Sequence, residues 1–366
     1  MMDRVKERRD PMTIGMLLEE RKLPPLLPVN HAEGMSPARR QEIIELLSRE
    51  EYGFLPDPPA EIRTELLHAE PCDFAGKACH TRVRLGFDTP GGPFSFPVDF
   101  VVPYSDEKPP LIIYISFTPY DNGRYKPVEE IIDSGFAFAT FCYEDITADS
   151  ADGFSSGLAA LYPRRVGKTD WGKISMWAWA ASRALDYALT ISEIDPDRIF
   201  CAGHSRLGKT ALWCAGTDTR FAGAYANNSG CSGAALSRGK TGEKIENITR
   251  VFPFWFCERY ADYAGREEEA AFDQHFLLAL LAPRLLYVAS AAGDAWADPA
   301  SEFLCCAAAS PAWGQYGMDG LVCGPSLPET GAFFPQGRIG YHLRSGTHYH
   351  SRYDWNRFME FAKMHG

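Results

Sequence analysis

The chain has 366 residues, 45% of them hydrophobic, and a formal net charge of −11. That length allows one large α/β domain or two smaller ones with a sizeable core. The negative balance argues against a nucleic-acid backbone as partner. The charged N-terminus, Met1 to Asp10, is not followed by the apolar segment of a secretory signal, and the most apolar stretch, Phe276 to Ala292, is broken by Pro283 and Arg284. A membrane span is therefore not expected, and a cytoplasmic location is. Several of the ten cysteines lie inside apolar runs, as Cys142 and Cys201 do, and none has zinc-site spacing. They read as buried, reduced thiols, with Cys72 and Cys79 as a possible bridge.

In chain order, residues 1–35 are rich in proline and charge and are expected to wrap the surface. Pro37 to Tyr52 reads as a helix capped by Ser36, with Ile43, Ile44 and Leu47 on one face. Residues 60–105 alternate apolar and polar positions, which predicts antiparallel strands including Cys79 to Leu85 and Phe94 to Val102. The pattern then changes. Leu111 to Ser116 is a continuous apolar run, as in a strand buried on both faces. Next come a predicted helix (Pro127 to Ser134), a buried strand (Phe136 to Tyr143) and a long helix (Asp170 to Ile191) carrying Trp171, Trp177 and Trp179. Further strands are predicted at Phe221 to Ala226, Arg284 to Ala291 and Arg338 to Leu343, with a closing helix from Tyr353 to Met364. Strands alternating with helices predict one α/β domain over residues 1–366, a mostly parallel sheet with helices on both faces. The β-rich segment 60–105 is expected to extend that sheet.

Between the long helix and the strand at 221 lies the segment with the clearest chemistry. Ile199 to Ala202 reads as a short buried strand, Gly203-His204-Ser205-Arg206-Leu207-Gly208 as a sharp turn, and Lys209 to Cys214 as the first turns of a helix. A serine on such an elbow has its hydroxyl pushed out at the top of a sheet. The N–H of the following residue, Arg206, points to the same place. The second glycine comes one residue later than in G-x-S-x-G, and the alternative is an ordinary strand-to-helix turn with a serine cap.

A serine needs a base, and the base needs a group to orient it. In the order Ser, acid, His, the base comes late. His348, in the polar loop Arg344-Ser-Gly-Thr-His-Tyr-His350, is the candidate, with His350 its rival. Asp294, first after the strand ending at Ala291, is the candidate acid; Asp298 before Pro299 is the alternative, or a turn or helix-cap residue. His342, His348, His350 and Asp354 also offer ligand types that zinc accepts, but without an H-E-x-x-H helix, and a metal site would leave the serine elbow unexplained. No metal and no organic cofactor is expected.

Gly203-His-Ser-Arg-Leu-Gly-Lys209 resembles the G-x-S-R-x-G-K signature of the glucuronoyl esterases, carbohydrate esterases of the α/β-hydrolase fold, and most closely their bacterial branch. Trp171 to Tyr187, Asn227 to Leu236, Phe272 to His275, Ala282 to Arg284, Trp296 to Pro299, and Arg344 to His348 with Asp354-Trp355 resemble other segments of that family. The resemblance implies hydrolysis of a 4-O-methyl-glucuronate ester through an acyl-enzyme on Ser205, with His348 as base. It also implies that Arg206 assists the oxyanion, that Lys209 hydrogen-bonds sugar hydroxyls and that Trp296 contacts the uronate. The second oxyanion N–H is expected from the loop near Phe117 and Thr118. Some members carry the acid as a glutamate after the sixth strand. Here Asn228 stands at that place, which directs the search to Asp294. Absence of a signal favours a small uronate ester or an oligosaccharide ester as substrate. The alternative is an acetylxylan or acetyl-sugar deacetylase on the same triad.

Overall fold

The computed structural model describes residues 12–27, 35–121, 125–165 and 167–366. Ten strands form one continuous sheet: β1 (Arg63–Cys72), β2 (Ala78–Thr89), β3 (Gly92–Pro103), β4 (Leu111–Ser116), β5 (Ala137–Cys142), β6 (Ile199–His204), β7 (Gly223–Asn227), β8 (Leu285–Ala291), β9 (Phe333–Phe334) and β10 (Ile339–Arg344). Their spatial order is β1-β2-β3-β5-β4-β6-β7-β8-β10-β9. The block from β5 to β10 is parallel, and antiparallel strands flank it, β1 to β3 on one side and β9 on the other. The β-rich segment thus belongs to the same sheet.

Strands β4, β5, β7 and β8 are buried throughout, which accounts for their unbroken apolar runs. Side chains still alternate between faces. Ile113, Ile115, Phe141, Cys201 and Val288 join the larger core, which includes the helices Lys173–Ala188 and Arg206–Thr217. Ile112, Tyr114, Phe138, Phe200, Tyr225 and Tyr287 point the other way, onto the helices Val128–Asp133 and Arg352–Met364. Among the described residues, no helix is long and apolar enough to cross a membrane.

The structure departs from the sequence expectations in several places. The helix at Pro37 ends at Leu47 and widens into a π-turn over Ser48–Tyr52 that buries Glu50 and Glu51. The long helix begins at Lys173, so Trp171 precedes it. The elbow helix starts three residues early, at Arg206. Every residue of β1 is exposed. All ten cysteines are unbridged, Cys72 exposed and Cys79 half-buried. Of the N-terminal segment, residues 1–11 and 28–34 lie outside the described residues. The part between them forms a helix, Ile14–Arg21, whose Ile14, Leu17 and Leu18 pack against the larger core.

Candidate active site

The loops that leave the carboxyl ends of the parallel strands meet at one edge of the sheet, where open α/β sheets gather their ligands. Ser205 follows β6 with φ 58° and ψ −126°, a strained conformation for a residue with a side chain. Its N–H is held by the Asn227 carbonyl of β7 at 2.8 Å. The late second glycine has a steric explanation. A Cβ on Gly203 would stand 2.0 Å from the Leu207 carbonyl oxygen, and one on Gly208 3.0 Å from Ser229 Cβ. Leu207, at the place usually held by glycine, instead turns its side chain fully into the core.

Ser205 and His348 line the same cleft, of about 610 Å³, with Tyr114, Ser116, Phe117, Thr118, Tyr125 and Arg206 also on its walls. Nδ1 of His348 lies 2.6 Å from Asp294 Oδ2, with the ring partly exposed to the cleft and the carboxylate buried. That pairing leaves Nε2 as the nitrogen available to a serine hydroxyl. Asn228 donates to the same Asp294 oxygen at 2.8 Å, and the Ala297 N–H to the other at 3.3 Å. Burial pushes the Asp294 carboxyl up, but the hydrogen bonds from His348 and Asn228 outweigh it and hold the group below its ordinary pKa. The two loops are joined by the Gly293 N–H on the Gly346 carbonyl at 2.8 Å. Arg344, paired with Asp354 at 2.8 Å, donates to the Ser345, Thr347 and Tyr349 carbonyls and so braces the segment around His348.

The rivals have other partners. Asp298 caps the helix Pro299–Ala309, accepting from Ser301 N–H at 3.1 Å and from Thr241 N–H at 2.8 Å. His350 is 2.9 Å from the Tyr225 hydroxyl and stacks on Trp355 at 4.4 Å, and burial pushes its pKa far down. His342 bridges Tyr287 and Asp354. Among the described residues, no cluster of three or more His, Cys, Asp or Glu forms a metal-holding group.

Arg206 opens the elbow helix and is among the residues lining the cleft, and its Nη1 donates to Asp149. The Thr118 N–H is engaged by Ser116 Oγ at 3.2 Å, which leaves Phe117 as the donor to consider in that loop. Lys209 is buried and its ammonium donates to the Ser229 carbonyl; a sugar hydroxyl would have to share that ammonium. Trp296 is 56% exposed, an open indole face outside the residues that line the cleft.

Sequence reasoning gave no role to His204, Asp149 or Glu302. The His204 ring lies tilted against that of His348, centroids 4.6 Å apart, and meets Asn227 Oδ1 at 2.6 Å; burial, helped by His348, lowers its pKa to about 4. Glu302 accepts from Gly230 N–H at 2.8 Å and Ser290 Oγ at 2.6 Å, bracing the turn that carries Asn228. The only signal for Asp149 was an acidic residue shortly after a buried strand.

Comparison with known proteins places the chain in a family. The family model described as glucuronyl esterase, fungi, matches residues 89–317, more than half the chain. A carbohydrate esterase from an unknown prokaryotic organism is 41% identical over 247 residues, 66% of this chain and 56% of that protein. A 4-O-methyl-glucuronoyl methylesterase of Podospora anserina is 30% identical over 278 residues, 73% of this chain and 53% of its own length. The chain thus spans a little over half the length of these curated relatives. The solved glucuronoyl esterase from Solibacter usitatus superposes with a TM-score of 0.84 at 34% identity, covering 93% of this chain and 97% of that one. The fold is that of the α/β-hydrolases. From the matched residues and the shared architecture together, the chain belongs to the glucuronyl esterase family.

Proposed function

We propose that this protein is a serine carboxylester hydrolase acting on a glucuronate ester, with Ser205 as nucleophile, His348 as base and Asp294 as the acid that orients it. The reading is best supported by one observation: a serine with positive φ and a His348–Asp294 pair at 2.6 Å open on one cleft.

The Ser205 hydroxyl attacks the ester carbonyl as its proton passes to His348 Nε2. Asp294 holds Nδ1–H and stabilises the imidazolium that forms. The oxyanion is met by the Arg206 N–H, by its guanidinium and by the Phe117 N–H. His348 returns the proton to the alcohol, the C–O bond breaks, and the uronate remains as an acyl-enzyme. Water, deprotonated by His348, then releases the acid and restores Ser205. Trp296 offers a flat apolar face suited to a pyranose ring.

The test is parallel kinetics of the wild type and Ser205→Ala on benzyl glucuronate and on acetylated xylo-oligosaccharide. Turnover of the uronate ester that disappears in the variant is expected. Hydrolysis of the acetates alone would move the protein to sugar deacetylation on the same residues, and undiminished activity of the variant would remove the mechanism.

A further inference from the structure

The guanidinium of Arg206 is held by more than the start of its helix. Its Nη1 donates to Asp149, whose side chain is 5% exposed. The same carboxylate accepts from Trp255 Nε1 at 2.6 Å and from the Tyr143 hydroxyl at 3.0 Å. Trp255 acts twice. Besides its hydrogen bond to Asp149, it lays its ring face 4.7 Å from the guanidinium carbon, with Phe117 and Phe252 each at 5.5 Å. Phe252 is stacked on Trp255 at 3.8 Å with ring planes 2° apart. Trp255 is itself fixed from behind, since its carbonyl accepts from the Ile174 N–H at the start of the long helix. Residues from three separate segments therefore converge on one cation.

This arrangement has a chemical consequence. A free arginine side chain samples many rotamers, and a donor that must be ordered as charge develops forfeits part of its effect. A donor fixed beforehand does not. The fork is not saturated by its tether: Nη1 is on Asp149, whereas the buried Nε has no partner among the described residues. The negative charge of Asp149 would oppose an oxyanion if it were bare. Hydrogen bonds from Trp255, Tyr143 and Arg206 disperse it.

We propose that Asp149, with Trp255 as its support, is a positioning residue that locks the Arg206 guanidinium for oxyanion stabilisation. This rests on the oxyanion role proposed above for Arg206. Asp149 acts only through Arg206 and does not touch the reacting atoms.

A double-mutant cycle on benzyl glucuronate tests it, with Asp149→Asn, Arg206→Ala and the double variant. Arg206→Ala is expected to lower kcat by roughly 10²–10³-fold, the usual worth of one oxyanion donor. Asp149→Asn should cost about 10–100-fold in kcat, a share of that same stabilisation, with little change in KM. In the Arg206→Ala background it should cost almost nothing further. An equal loss from Asp149→Asn in both backgrounds, or a gain in kcat, overturns the tether while leaving the role of Arg206 intact. Wild-type kcat in Arg206→Ala removes the oxyanion reading itself. Should Asp149→Asn fail to fold, as circular dichroism would report, the same cycle is run with Trp255→Phe, which deletes the donor and keeps an aromatic face.

Discussion

The outer strand pair of the antiparallel flank, β1 and β2, and the carboxyl ends of the parallel block use charge in opposite ways. On β1 and β2, Arg63 meets Asp88 at 2.8 Å and Arg84 meets Glu65 at 2.6 Å, with all four side chains between 45% and 74% exposed. At the carboxyl ends of the parallel strands, Asp149, Asp294, Asp298, Lys209, Lys240 and Glu302 are buried, and each is hydrogen-bonded to specific neighbours. Exposed pairs are screened by solvent and hold little. Buried ones are costly to form but admit few geometries once their partners are satisfied. The exposed pairs on β1 and β2 could be lost with the strands intact, whereas losing Asp294 or Glu302 would leave buried partners without hydrogen bonds.

Substitutions break that comparison at successive strengths. Ser205→Ala should reduce kcat by about 10⁴–10⁶-fold with an unchanged melting temperature, measured by steady-state kinetics and calorimetry. Asp294→Asn should cost about 10⁴-fold in kcat, whereas Asp298→Ala should lower stability by about 1–2 kcal/mol as a lost helix cap and leave the chemistry in place. Denaturant titration alongside kinetics separates the two aspartates. Glu302→Ala, which strands the Ser290 hydroxyl and the Gly230 N–H, should destabilise by roughly 3 kcal/mol.

Acid should weaken the parallel block through its buried histidines. Burial lowers His204 and His275 to about 4, and His342 and His350 are lowered as well. A folded-state pKa below the unfolded value means the unfolded chain takes up protons first as pH falls. Their contribution is complete above about pH 6.5 and drains away toward pH 4. Buried Glu51, which desolvation pushes up to about 8, works in the opposite sense, as do Asp145, Asp273 and Glu302, which burial also raises. Substitution isolates the histidine part: with His275 replaced by Gln, the melting temperature should drop less, or rise more, than the wild type's as pH goes from about 6.5 to about 4. The smallest effect belongs to the flank. Arg84→Ala should change stability by less than about 0.5 kcal/mol, and added salt should erase even that.

Much of this was legible in the sequence because it is local. The run Leu111 to Ser116 is β4 to the residue, since a strand buried on both faces needs no partner to announce it. The elbow was readable from its glycines, and chain position singled out Asp294 and His348, which the structure pairs at 2.6 Å. What stayed hidden depends on contacts far along the chain. β1 has no buried face, so it carries no alternation to read. The π-turn at Ser48–Tyr52 continued a helical pattern, and its buried Glu51 accepts from Gln274 at 3.0 Å, a contact between segments 223 positions apart. Asp149 gave little sign because its partner Arg206 is 57 positions away. Asn228 was noticed only for not being a glutamate; its hydrogen bond to Asp294 gives the side chain a part in fixing the acid.

The account stands or falls on a reactive Ser205. Treatment of the wild type and His348→Ala with a fluorophosphonate, followed by peptide mass spectrometry, reads this directly. One adduct on Ser205 in the wild type and almost none in the variant is the predicted result. No adduct at Ser205 in the wild type, or equal labelling in both proteins, would contradict it.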